Sequence, residues 1–259
     1  MTELTVAERI ALRGRAVTLA GLAVLSLLAW LTLLSGGGME PMSGMAMPMS
    51  PSFPLVVAMW WVMMIAMMLP SAASMLLLFA RVNRKDKKAG AALAPTAMFA
   101  AGYVLAWGGF SAVATTLQWG LESARLLSPM LVTTSHWLGA GILVSAGLWQ
   151  LTPLKAVCLR HCRTPLGFLI GRWRSGRLGA LRMGLEHGAY CLGCCWFLMA
   201  LLFFGGVMNL YWIVGLAVFV LLEKTIPHGH WLGSVAGVAL VSWGFVLAMQ
   251  VLAGSHWAN

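Results

Sequence analysis

Charge is scarce in this sequence: 9% of its residues are Asp, Glu, Lys or Arg, and only 7 are acidic. Soluble domains carry roughly a quarter charged residues. A water-soluble fold of 259 residues needs a polar shell that this composition cannot provide, and 60% of the chain is hydrophobic. A soluble domain is therefore excluded, and the chain reads as one membrane domain. There is no Walker A motif, which argues against ATP-driven pumping and leaves passive, ion-coupled or partner-dependent transport as the expectation. There is no Cys-x-x-Cys-His run, which argues against covalently attached haem. No internal repeat is visible, so the inverted-repeat signature of many secondary transporters is missing.

What the sequence does have is a series of apolar runs, at 16–34, 54–80, 93–120, 130–151, 184–205, 207–222 and 231–253. Each approaches the length needed to cross a hydrocarbon core about 30 Å thick. The first run follows Arg9, Arg13 and Arg15. It is longer than a signal-peptide core and lacks a small-x-small cleavage site before Gly36, so we expect a retained helix. The net charge of +10 is spread over short links instead of one exposed face, so no nucleic-acid partner is expected. With a cytoplasmic N-terminus, Arg9, Arg13, Arg15, Arg81, Arg84, Lys85, Lys87, Lys88, Lys155, Arg160, Arg163, Arg172, Arg174, Arg177, Arg182 and Lys224 all lie inside. Only Arg125 of the 17 basic residues lies outside. The expected fold is an all-α, polytopic transmembrane bundle of about seven spans with its N-terminus in the cytoplasm. It divides into 1–35 (cytoplasmic segment and first helix), 36–53 (external Met-rich link) and 54–259 (a six-helix metal-binding domain). Gly205-Gly206 makes the link between the fifth and sixth spans short, which predicts an antiparallel hairpin.

Soft ligands gather at four places. The external link holds Met39, Met42, Met45, Met47 and Met49 between glycines and prolines. Thioethers select Cu(I) and need no deprotonation, although a flexible linker would also carry such residues. In the second span Met59, Met63 and Met67 recur at i, i+4 and i+8, with Met64 and Met68 as a second pair. Successive members stand about 6 Å apart along one face, a ladder that serves either as ligands or as core filling. Pro70 frees backbone carbonyls there, a feature tolerated beside a cavity. The fifth span carries Glu186, His187, Cys191, Cys194 and Cys195. His187, Cys191 and Cys194 share an arc of roughly 60°, while Trp196 points the other way. Polar groups at membrane depth usually mark function, and thiolates become tolerable when a cation neutralises them. The ladder and this stripe reach similar depth, which leaves room for a shared site, although the sequence does not establish contact between the two helices. On the cytoplasmic side Cys158, His161 and Cys162 fall at i, i+3 and i+4, which predicts a helical turn acting as an exit or sensing site, against a disordered basic link or a lipidation site. His228 and His230 read as interfacial polar residues, and Glu223-Lys224 as an ordinary interfacial ion pair.

Taken together, Trp60-Trp-Val-Met-Met-Ile-Ala-Met-Met-Leu-Pro70, Leu151-Thr-Pro-Leu-Lys155, Cys158-Leu-Arg-His-Cys162, Gly188-Ala-Tyr-Cys-Leu-Gly-Cys-Cys-Trp196, Met208-Asn209 and Glu223-Lys224 resemble the DUF2182 family of predicted metal-binding integral membrane proteins. The resemblance covers about 55–230. It implies a multi-pass bacterial inner-membrane protein that binds metal, without an assigned activity. The Met-rich link also looks like that of eukaryotic high-affinity copper transporters, a likeness of ligand chemistry and not of fold.

The functional expectation is Cu(I) handling for transport or for delivery to a periplasmic or membrane cuproenzyme, a binding role and not catalysis. Zinc is the alternative metal, because thiolate and imidazole bind both ions and only the methionines tilt the choice. The competing function is a quinone-linked thiol-disulfide oxidoreductase using Cys191 and Cys194, weakened by the lack of cysteine in the external links. A haem protein with His187 or His136 as axial ligand comes third, and a non-catalytic membrane scaffold fourth. Oligomeric state and direction of movement do not follow from the sequence.

Overall fold

The computed structural model describes residues 6–35, 51–85, 93–128, 130–227 and 229–254, and for 6–14, 84 and 85 the backbone alone. The helices are α1 (Val6–Leu34), α2 (Phe53–Lys85), α3 (Leu93–Ser123), α4 (His136–Leu151), α5 (Pro153–Arg163), α6 (Pro165–Arg172), α7 (Gly176–Ala200), α8 (Leu202–Gly205), α9 (Leu210–Thr225) and α10 (Gly229–Leu252). Among the described residues the only β feature is an isolated bridge between Leu127 and Thr133. The all-α class expected from the apolar runs is therefore what the chain adopts.

Local sequence sets where the helices begin and end. Ser135 caps α4 by accepting the Leu138 N–H at 3.3 Å, and Asn209 caps α9 by accepting the Tyr211 N–H at 3.1 Å. α4 ends because Pro153 holds Thr152 in extended backbone (φ −75°, ψ 146°). The chain then turns by 65° into α5. Gly206 adopts φ +97°, a left-handed value that side-chain-bearing residues resist, and this allows the short link from α8 to α9. On either side of that link Lys224 of α9 meets Cys191 of α7, and Trp212 lies edge-on to Phe204. This is the antiparallel hairpin expected from Gly205-Gly206.

The chain forms two compact units, one of Met1–Thr115 with Thr164–Tyr190, the other of Thr116–Arg163 with Cys191–Asn259. In the first, α1 runs along α2, and α2 supplies much of the core through Trp60, Met63, Met64, Met67, Met68 and Phe79. Trp61 donates its indole N–H to the Val104 carbonyl at 2.8 Å, tying α2 to α3. In the second, α4 runs along α10. The α10 face that does so carries Gly237 and Gly244, both buried against α4, while Gly229 and Gly233 are buried against Glu223 and Lys155. Small residues at that spacing let backbones approach closely, as membrane helices commonly do.

Among the described residues five helical stretches, Arg15–Leu34, Phe53–Asn83, Leu93–Ser123, Gly176–Gly205 and Gly229–Leu252, are long and apolar enough to cross a membrane. α4 and α9 occupy the other two apolar runs but have 16 residues each, about 24 Å, which is less than the hydrocarbon thickness. Many large apolar side chains lie exposed, among them Leu27, Leu28, Leu31, Val238 and Phe245. Such faces are unfavourable in water and compatible with lipid. The basic stretch after α4, which the sequence left open as a disordered link, is helical over α5 and α6. The reason is an amphipathic pattern: Lys155, Leu159 and Cys162 share a buried face of α5, and Phe168 and Leu169 bury α6.

Candidate functional site

The second unit gathers chemistry from four helices. Cys191, Cys194 and Cys195 of α7 are buried, at 0–1% exposure. Trp196 is 42% exposed, so the expected division of faces holds. The turn at Pro153 sends α5 across these cysteines, and Cys162, on the buried face of α5, has its thiol in the surroundings of those of Cys191 and Cys194. Cys191 also engages Cys195. Cys158 lies against Gly193, where a Cβ would stand 2.7 Å from its Sγ. All five cysteines are free thiols. Cys194 and Cys195 donate to the Cys191 carbonyl, at 3.0 and 2.9 Å. From α9, Lys224 donates to Cys191 Sγ at 2.9 Å.

Beside the thiols lies a polar group that the sequence reading did not assemble. Lys155 donates to both Gln150 Oε1 and Glu223 Oε1. The Lys155–Glu223 ion pair is buried on both sides, with side-chain exposures of 3% and 1%. Glu223 Oε2 and Gln150 Nε2 are buried without a hydrogen-bond partner among the described residues. Glu223-Lys224 is thus not the interfacial ion pair expected. Neighbouring residues on a helix point about 100° apart, so Glu223 turns to α5 and Lys224 turns to the cysteines. The signal was present: charged residues inside apolar stretches are costly and mark function.

The remaining candidates fall in several surroundings. His187 belongs to the first unit, buried at 3% exposure, with its ring packed on Phe168, Tyr103 and Phe99 at centroid distances of 5.5, 5.8 and 6.1 Å. Met63, Met64, Met67 and Met68 are buried in that unit and Met59 is half-buried, so both faces of the ladder lie inside. Tyr103 donates to the Met68 carbonyl at 3.1 Å, and Ser71 to the same oxygen at 2.8 Å. Glu186 is not arranged as a metal ligand. Arg172, Arg174 and Arg182 approach its carboxylate at 3.3, 3.2 and 3.4 Å, and their positive charge disfavours a cation there. His161 does not share the face of Cys162; its Nδ1 lies 2.9 Å from the Val157 carbonyl one turn back. The expected trio on α5 is therefore reduced to its two cysteines, and they face inward instead of forming a separate exit site. His136 is the exposed first residue of α4. Met39, Met42, Met45, Met47, Met49 and His228 lie outside the described residues.

Among the described residues no three His, Cys, Asp or Glu stand ready to hold a metal ion. The physical reason is visible at the thiols: two of them turn to a backbone carbonyl, and an ammonium rests on the third. What the cluster offers is buried sulfurs on different helices, Cys162 of α5 and Cys191 of α7, that share one surrounding screened from water. Soft thiolates in such a place suit Cu(I), a d¹⁰ ion stable with only two sulfur ligands.

Residues 57–247 match the model of a family, PpoB2, described as copper chaperone. The matched stretch overlaps most of that covered by the DUF2182-like motifs, and it carries a copper-related description in place of that name. No curated protein and no solved structure matches the chain.

Proposed function

Because the chain belongs to the PpoB2 copper chaperone family, we propose that it binds Cu(I) as cargo within the membrane and hands it to a partner cuproenzyme. The observation that carries this reading is the gathering of buried free thiols from two helices, Cys162 of α5 with Cys191 and Cys194 of α7. The proposed setting is the bacterial inner membrane, crossed seven times from a cytoplasmic N-terminus. The five long apolar helices and the confinement of all basic residues except Arg125 to the inner links support it. In that setting α4 and α9 cross by local thinning of the bilayer or by burial against their neighbours. The role is carriage and not catalysis. The methionines of the external link are the proposed first contact for the ion, since thioethers need no deprotonation.

The test is copper content by mass spectrometry of protein purified in detergent under reducing conditions. Wild type is expected to hold about one Cu(I) per chain after loading, and a Cys162→Ser/Cys191→Ser variant to lose most of it, because thiolate is the soft ligand and serine is not. Equal copper in the two proteins removes the reading. Glu186→Gln serves as a contrast, since its carboxylate lies among arginines. We expect its copper content to equal that of wild type, and a loss there would move the site toward the first unit.

A second reading, thiol–disulfide exchange with a quinone, is favoured by the same gathering of free buried thiols. It predicts loss of two free thiols per chain on incubation with an oxidised quinone, and no bound copper.

A further inference from the structure

The corner between α6 and α7, within the first unit, is built around arginines that the copper reading does not use. Gly176 takes φ +85°, a left-handed value, and lets the chain turn from α6 into α7. The turn is held in place. Trp173 packs on Phe79 of α2 with ring centroids 5.6 Å apart, the Arg174 N–H donates to Met183 Sδ at 3.3 Å, and a Cβ at Gly179 would stand 2.8 Å from the Arg174 carbonyl oxygen. On this fixed frame Arg172, Arg174 and Arg182 converge on the carboxylate of Glu186. Arg172 also donates to Tyr190 Oη at 2.8 Å and lies over its ring. Three guanidiniums share one carboxylate, so the group carries two more positive charges than negative. The arginine side chains are 42%, 41% and 65% exposed and that of Glu186 only 20%, so the excess charge faces outward.

Two further observations say what that charge meets. Large apolar side chains on the same stretch also face outward: Leu166 and Ile170 of α6 are 57% and 76% exposed, and Leu178 of α7 is 77% exposed. Exposed apolar and basic side chains on one short segment are unfavourable in water and suit the headgroup layer of a bilayer, where the first enter the acyl region and the second reach the phosphates. The apolar run of α7, 184–205, begins between Arg182 and Glu186, so the arginines lie where that helix would enter the hydrocarbon. A guanidinium presents paired N–H donors that match phosphate oxygens, and does so better than a point charge. We propose that the α6–α7 corner is a binding site for an anionic phospholipid, whose headgroup phosphate is held by Arg172, Arg174 and Arg182 while Leu166 and Ile170 enter the acyl layer. Glu186 gathers the three guanidiniums and leaves two charges for the lipid. This rests on the membrane setting proposed above and not on the copper site.

The experiment is native mass spectrometry of the full chain in a neutral detergent, titrated with phosphatidylglycerol or with phosphatidylcholine of the same acyl chains. Wild type should bind phosphatidylglycerol roughly tenfold or more tightly than phosphatidylcholine. Arg174→Gln/Arg182→Gln should lose that preference, and Arg125→Gln, outside the corner, should keep it. Equal affinity of wild type for the two lipids overturns the proposal, and this comparison needs no variant to fold. A double variant that keeps the preference overturns it too. Inorganic phosphate is the third probe: it brings no acyl chain and should not displace phosphatidylglycerol at equal concentration. Displacement would assign the arginines to a free phosphate and overturn the lipid site. A chain that stays monodisperse without detergent would instead remove the membrane setting itself.

Discussion

Glu223→Gln should destabilise the chain by about 3–5 kcal/mol, a large part of the stability of an ordinary domain. The carboxylate is buried on α9 and pairs with Lys155 of α5, itself buried. Gln is nearly the same size, so packing is kept and only the charge is removed. Lys155 is then a buried ammonium with Gln150 as its remaining named partner. Leaving one member of a buried pair uncompensated is what makes the loss large, since the pair in place gains little over a hydrophobic substitute. The double variant Lys155→Met/Glu223→Met removes both charges together and should recover most of that loss. Midpoints of unfolding in a mild detergent, followed by denaturant titration, distinguish the cases. A single variant within about 1 kcal/mol of wild type would mean that the pair is open to water, against the 3% and 1% side-chain exposure that defines it here.

The contrast between this pair and the thiols shows what was legible before the fold was known. The α7 cysteine stripe, the outward Trp196 and the helical turn joining Cys158 to Cys162 are local consequences of helix geometry, and all three are present. The hairpin around Gly206 was legible for the same reason, since a short link leaves no other arrangement. What periodicity cannot supply is the partner of each side chain. Glu186 and His187 are consecutive, yet the first meets three arginines and the second meets three aromatic rings. Glu223 and Lys224 are consecutive, yet one meets Lys155 and the other a sulfur. Such partners are brought together by the crossing of α5 over α7 and α9, and the single sequence signal for that crossing is Pro153 after Thr152. The same limit applies to the methionine ladder: spacing gave its two rows, and burial of both rows fits core filling as readily as ligation.

Gly147→Ala is the second change expected to have a large effect, and it acts through backbone contact instead of charge. A Cβ at Gly147 of α4 would lie 2.6 Å from the Gly237 carbonyl oxygen and 2.8 Å from the Val241 nitrogen, both in the backbone of α10. Side chains can rotate away from such a contact, but a helix backbone can yield only by moving the whole helix. The reciprocal geometry is as tight, since a Cβ at Gly237 would stand 2.9 Å from Gln150 Cβ. Separating α4 from α10 therefore also shifts Gln150, which holds Lys155 beside Glu223. Overpacking of this kind costs about 1–3 kcal/mol, and a displaced polar group adds to it. The control is Gly141→Ala on the same helix, where nothing lies within 4 Å of the new methyl group. There alanine brings only its better helix propensity, so stability should be unchanged or raised by up to about 1 kcal/mol. Unfolding midpoints measured side by side should fall for G147A and not for G141A. Copper loading of G147A should fall with them, because the α4–α5 corner that sets Lys155 is continuous with the helix that sets Cys162. Equal behaviour of the two variants would mean that α4 and α10 are not in backbone contact, and the account of the polar cluster that depends on that contact would have to be given up.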